Sequence, residues 1–123
     1  MILVDSSIWI DHIREPNEIL VDLIERGQVL THPFVIGEIA LGVIRPRAPM
    51  LASLEKLPAA PMASHAEAMR LIEIHTLFGR GVGYVDVHLL AAALLGAETT
   101  LWTRDRRLAA VAGELGVAAR FVH

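Results

Sequence analysis

Four carboxylates stand where elements of the chain begin or pack closely, and together they offer an oxygen-only donor set. Asp5 follows the apolar run Met1 to Val4, Glu38 lies in the apolar stretch that Pro33 opens, and Asp86 and Asp105 each fall in the first turn of an expected helix. Glu38 is the hardest to explain by solvation. Phe34 and Val35 lie one turn before it and Leu41 and Gly42 one turn after, so its side of the helix carries no polar neighbour. A carboxylate there needs a cation, a hydrogen-bond network or the rim of a cleft, because burial of an unpaired charge is strongly unfavourable. Taken singly, Asp5 reads as an Asx turn or helix cap, and Asp86 and Asp105 as acids that complement a helix dipole. Brought to one place, the four suit Mg2+ or Mn2+, hard cations held by carboxylates and water.

The elements that must position them follow from pattern and punctuation. Met1 to Val4 predicts a buried strand, Asp5-Ser6-Ser7 a helix-capping turn, and Ile8 to Arg14 a first helix. Pro16 suits the first position of a second helix that Gly27 ends, and Gln28 to Thr31 predicts the next strand. Pro33 opens a third helix with the core stripe Ile36, Ile39, Ala40 and Val43, which Arg45-Pro46-Arg47 breaks. A fourth helix is expected over Pro49 to Leu57 and a short edge strand within Pro58 to Met62. Ser64 and Glu67 form a capping box for a fifth helix reaching about Phe78. Gly79, Gly81 and Gly83 form a turn that matches no phosphate-binding fingerprint, and Tyr84 to Leu95 reads as a helix buried on most sides. Thr99 to Trp102 predicts a strand, Thr103 caps a last helix through Leu115, and Val117 to Val122 is the last strand. Short apolar strands without period-two alternation, separated by helices, indicate an α/β fold with a parallel sheet covered on both faces. Ligands of such folds bind beyond the carboxyl ends of the strands, where Asp5 and Asp105 are expected.

Composition narrows the function. The 123 residues, 54% apolar with a net charge of −3, predict a single domain over residues 1–123 with one buried core. No apolar run approaches the roughly 18 positions of a membrane span, and Met1 to Val4 lacks the basic segment of a secretory signal. With no cysteine there are no thiolate metal sites or thiol nucleophiles, which fits a cytoplasmic protein. A pI near 6.0 argues against broad coating of nucleic acid, although all but one of the 11 basic residues are arginine. The six histidines show no zinc-binding spacing. His88, two residues after Asp86, could hydrogen-bond within an acidic site. Trp102 reads as core, and Trp9 as core or dimer surface.

The Asp5-Ser6-Ser7 start, Glu38 in the helix after the second strand, Asp86 ahead of Leu89-Leu90-Ala91-Ala92-Ala93, and Leu101-Trp102-Thr103-Arg104-Asp105 together resemble a PIN domain. More narrowly they resemble the VapC-type toxin ribonucleases of toxin–antitoxin systems, over nearly the whole chain. The resemblance implies a central parallel sheet of four or five short strands flanked by helices. It assigns Asp5, Glu38, Asp86 and Asp105 to the family's acidic quartet, and Ser7 and Thr103 to supporting hydroxyl positions. The Asp or Phe common after the last acid is replaced here by Arg106 and Arg107, then Leu108.

The resemblance further implies a metal-dependent endoribonuclease. One or two Mg2+ or Mn2+ ions would bind the quartet and activate a water for in-line attack on an RNA phosphodiester, leaving a 5′-phosphate and a 3′-hydroxyl. Asp5, Asp86 and Asp105 would be ligands, and Glu38 a ligand or general base. A cognate antitoxin and a homodimer are implied as partners. Arg104, Arg106 and Arg107 crowd a helix start that disfavours cations, so they either contact RNA phosphate or point into solvent. A receiver domain is weaker, because the only lysine, Lys56, falls in a middle helix; a haloacid-dehalogenase-type phosphatase would want an aspartate where Ser7 stands. The alternative of another class is a noncatalytic PIN-like RNA-binding or interaction module, which would gain nothing from four mutually repelling acids.

Overall fold

A computed structural model describes residues 1–121. The elements run β1 (Ile2–Val4), α1 (Ser6–Arg14), α2 (Glu18–Glu25), β2 (Val29–Leu30), α3 (Pro33–Ala40), α4 (Arg47–Glu55), α5 (His65–Ile74), α6 (Tyr84–Leu95), β3 (Thr100–Trp102) and α7 (Arg106–Glu114). The three strands form a parallel sheet in the order β2-β1-β3, with Leu3 opposite both Leu30 and Leu101. Parallel neighbours must be joined by crossovers, and the helices supply them. All three strands therefore end at the same edge of the sheet.

The expectation of four or five strands is corrected to three among the described residues. The two outer segments are present only as single parallel bridges, Thr31 to Ala59 and Leu101 to Ala118. Geometry explains the limit. In a strand of three residues only the middle one turns its N–H and C=O outward, and Leu101 alone on β3 donates to Val117 O (2.7 Å) and accepts from Ala119 N (2.9 Å). On the other flank Pro58 and Pro61 bracket the Ala59 bridge and supply no N–H to extend it. The end of the expected strand Val117 to Val122 lies outside the described residues.

Burial follows the apolar pattern. Leu3 and Val4 of β1 are fully buried, and α6 is buried continuously from Val87 to Ala93, as a helix apolar on most faces must be. Trp9 is core, and Trp102 is half-buried against the Phe121 ring. Val43 is the exception: α3 ends at Ala40, and Val43, expected in its core stripe, is 93% exposed. α5 stops at Ile74 instead of continuing to Phe78, with Thr76 in the left-handed region (φ 53°).

Caps account for several element starts. The Ser64–Glu67 capping box is formed as expected. Asn17, not Pro16, begins α2, its Oδ1 accepting from Leu20 N (3.0 Å). Asp105, not Thr103, caps α7, its Oδ1 accepting from Arg107 N (2.9 Å) and Leu108 N (3.1 Å). His32 caps α3 through Nδ1, which accepts from Phe34 N (3.0 Å).

That histidine makes stability depend on pH. His32 is 0% exposed, and burial, reinforced by the nearby His88, holds its pKa below the ordinary value. The unfolded chain takes up a proton near pH 6.5 where the folded chain does not, so this stability is present above that value and lost as pH falls below it. Glu38 and Asp86, whose pKa values are raised, act in the opposite sense at lower pH. Urea unfolding is expected to show a lower midpoint at about pH 5.5 than at about pH 7.5, each buried histidine contributing at most about 1.4 kcal/mol per pH unit. His32→Asn retains a cap acceptor and should flatten that slope; an unchanged slope would contradict the assignment.

Candidate active site

The site begins with a buried charge. Asp5, at the end of β1, is 6% exposed and stands in the N-cap position of α1, yet its side chain makes no cap bond. Its Oδ2 instead accepts from Ser7 Oγ (2.8 Å) and from Thr103 Oγ1 (2.7 Å). Thr103 comes from the segment after β3, and Asp5 N donates to Trp102 O (2.9 Å), so the first and last strands are tied together at this point. Both hydroxyls are oriented in turn, Ser7 Oγ accepting from Arg104 N (3.1 Å) and Thr103 Oγ1 from Asp105 N (3.1 Å). Two short O–H···O bonds to a carboxylate offset much of the desolvation that burial imposes.

Ser6, a hydroxyl with no expected role, also belongs to the site. Its Oγ donates to Glu38 Oε1 (3.2 Å) and lies 3.5 Å from Asp5 Oδ1, linking α1 to α3. The sequence signal is the pair of adjacent hydroxyls in Asp5-Ser6-Ser7, but only the strand-to-helix turn decides which way each points. Glu38 occupies an exposed rim rather than the core. Asp86 is half-buried in the first turn of α6, its Oδ2 accepting from Gly83 N (2.9 Å).

A common pattern emerges. Each acid has one oxygen fixed by the chain, while among the described residues Glu38 Oε2, Asp86 Oδ1 and Asp105 Oδ2 accept no hydrogen bond, and Asp5 Oδ1 has only the long Ser6 contact. Partial desolvation at the rim pushes the Glu38 carboxyl up despite the Ser6 bond, with the charges of Asp5 and Asp86 adding to the rise. Asp86 is raised likewise, by burial first, against the Gly83 bond, and then by Asp5 and Asp105. The four acids thus feel one another. Among the described residues no arginine or lysine pairs with any of them; the ion pairs are Arg26–Asp22, Arg80–Glu114 and Arg104–Asp11.

The donor set fits a hard divalent cation: all oxygen, several free lone pairs, and no internal counter-charge. Among the described residues no group of three or more acidic or histidine side chains is placed to hold a metal ion by itself. Mg2+ does not require one, since it keeps several waters and takes one or two carboxylates directly.

His88 does not join this cluster. Two residues from Asp86 on a helix, it points to the other side, 3% exposed, with its ring against Phe34 (4.9 Å) and Tyr84 (4.6 Å) and neither nitrogen hydrogen-bonded among the described residues. Arg104, Arg106 and Arg107 are exposed around the start of α7; Arg104 is held by Asp11 (2.7 Å).

A parallel α/β sheet with acids gathered at the carboxyl edge defines a class, and residues 2–114 match the PIN domain. The chain belongs to the PIN-domain family. Among curated proteins it is similar to Ribonuclease VapC32 of Mycobacterium tuberculosis, in both strain CDC 1551 / Oshkosh and strain ATCC 25618 / H37Rv. The identity is 45% over 118 residues, covering 96% of this chain and 95% of the relative. The resemblance to VapC-type toxins read from the acidic motifs is thereby borne out.

Two substitutions test the electrostatics. Thr103→Val leaves the buried Asp5 carboxylate short of a donor and is expected to cost about 1–3 kcal/mol in urea unfolding, whereas Thr103→Ser should stay near wild type. Asp86→Asn can still accept from Gly83 N while losing a repelled charge, so in EDTA near neutral pH it should melt above wild type. A lower melting temperature would show that Asp86 is not held against repulsion.

Proposed function

We propose that this chain is a divalent-metal-dependent endoribonuclease, a VapC-like toxin whose site is the quartet Asp5, Glu38, Asp86 and Asp105. The observation that carries the proposal is the set of acids with free oxygens and no basic partner. An ordinary surface acquires counter-charges, whereas a cation site must leave them out. Ribonuclease activity in the similar VapC32 supports the substrate class.

Asp5 and Asp86, the more buried pair, would hold Mg2+ or Mn2+ directly, with Glu38 and Asp105 completing the site directly or through water. The cation, when bound, lowers the pKa of water and offsets charge that develops on phosphate oxygens. The chain's own contribution is placement. Ser7 and Thr103 fix Asp5, and Gly83 fixes Asp86. Ser6 turns Glu38 toward the site, where its raised pKa suits uptake of the proton from the attacking water. Hydrolysis adds that water to phosphorus and breaks the P–O bond to the 3′ oxygen, which leaves protonated by solvent.

As a cytoplasmic toxin forming a single domain over residues 1–123, the chain would act as a homodimer and be restrained by a cognate antitoxin. Among the described residues no helix is long and apolar enough to cross a membrane.

Purified protein incubated with total bacterial RNA and Mn2+ is expected to generate discrete new 5′ ends, detected by end sequencing and absent with EDTA or with Asp86→Asn. Cuts that persist in both controls would exclude the quartet as their source. No cuts from folded, antitoxin-free protein would favour a noncatalytic module.

A further inference from the structure

Arginines surround the start of α7, yet the structure treats them differently. Arg104 is held by Asp11 (2.7 Å) and Arg80 by Glu114 (2.7 Å), so each already has its counter-charge. Arg107 has no ion-pair or side-chain hydrogen-bond partner among the described residues. It nevertheless has a seat. Its side chain lies on the backbone of Gly81, where a Cβ would come within 2.6 Å of Cδ, 2.6 Å of Nη1 and 3.1 Å of Cζ. Gly81 is also in the left-handed region (φ 79°), which favours glycine, and a Cβ there would push the far end of the flexible Arg107 side chain off the loop.

The seat is built into the site. Gly81 is two residues before Gly83, whose N–H holds Asp86, and Arg107 donates its own N–H to Asp105. The Arg80–Glu114 pair fastens the same glycine loop to α7. An unpaired guanidinium thus lies against the loop that leads to Asp86, at a helix start whose dipole disfavours cations. An anion at that place would offset the unfavourable position, and a planar fork of donors matches phosphate.

We infer that Arg107, seated on Gly81, binds a phosphate of the RNA strand that enters the acid cleft. This rests on the endoribonuclease reading above and singles out one of the three arginines around Asp105. Arg107 is a substrate-binding residue; Gly81 is a positioning residue.

The test is steady-state cleavage of total bacterial RNA with Mn2+ at several salt concentrations, alongside the Mn2+-induced melting shift. Arg107→Ala is expected to lower kcat/KM about tenfold, mainly through KM. It should make the dependence of log kcat/KM on log[salt] shallower by about 0.7, the share of one phosphate contact on a single strand. Arg107→Lys should recover most of the salt dependence. Gly81→Ala should raise KM in the same way, and the Mn2+-induced melting shift should match wild type in all three. Arg106→Ala, which removes a neighbouring exposed arginine, should change kcat/KM by less than about twofold. Wild-type cleavage with Arg107→Ala unchanged, or with Arg106→Ala equally impaired, overturns the inference alone. A wild type that cleaves no RNA overturns the proposed function and this inference with it.

Discussion

The carboxylate of Asp5 is the point on which the site depends. A carboxylate with 6% exposure at the end of a strand needs donors close by, and Ser7 and Thr103 both supply them to Oδ2 from segments nearly a hundred residues apart. Thr103 can reach Asp5 because β3 lies beside β1, parallel and in register from Ile2–Thr100 to Val4–Trp102. A slip of one residue would turn the strand's side chains to the opposite faces. The position of the fourth acid follows from the same arrangement, since Thr103 also accepts from Asp105 N and so fixes the start of α7.

Around that centre two of the nearby arginines are paired with other acids. Arg104 and Arg80 are close in sequence to Asp105 and Asp86, yet they pair with Asp11 and Glu114. The acids are left to repel one another, and Glu38 and Asp86 both have raised pKa values, with burial as the first cause and neighbouring carboxylates adding to it. Such an arrangement lowers the stability of the fold near neutral pH, and under the proposed function a cation would relieve it. The neutral histidines on the other side of α6 belong to the packing: His32, Phe34, His88 and Tyr84 form a run of edge-to-face rings.

Much of the fold was legible because its signals are local. The apolar run from Val87 to Ala93 identified a buried helix, and the Ser64–Glu67 spacing a capping box. The sequence also put Asp5 directly after a strand and Asp86 in a first helical turn, where the structure places them. What failed depended on partners distant in sequence or on choices between like residues. One outer strand shrank to a single bridge because β3 presents only Leu101 outward, and the other because Pro58 and Pro61 bracket Ala59. Thr103 and Asp105 are both good caps two residues apart, and the demand of Asp5 for a hydroxyl decides between them. Ser6 and Ser7 are chemically identical, and only the turn of the chain sends one to Glu38 and the other to Asp5. The glycines before α6 read as a flexible turn; the close approach of Arg107 to Gly81 is visible only in three dimensions.

The central claim is that the free oxygens of the quartet are a cation site. The most direct measurement is anomalous diffraction at the manganese absorption edge from crystals of this protein grown with Mn2+. The account predicts an anomalous peak between Asp5 and Asp86, lost in crystals of Asp5→Asn. Ordered acids with no peak between them, or a peak that survives that substitution, would contradict it.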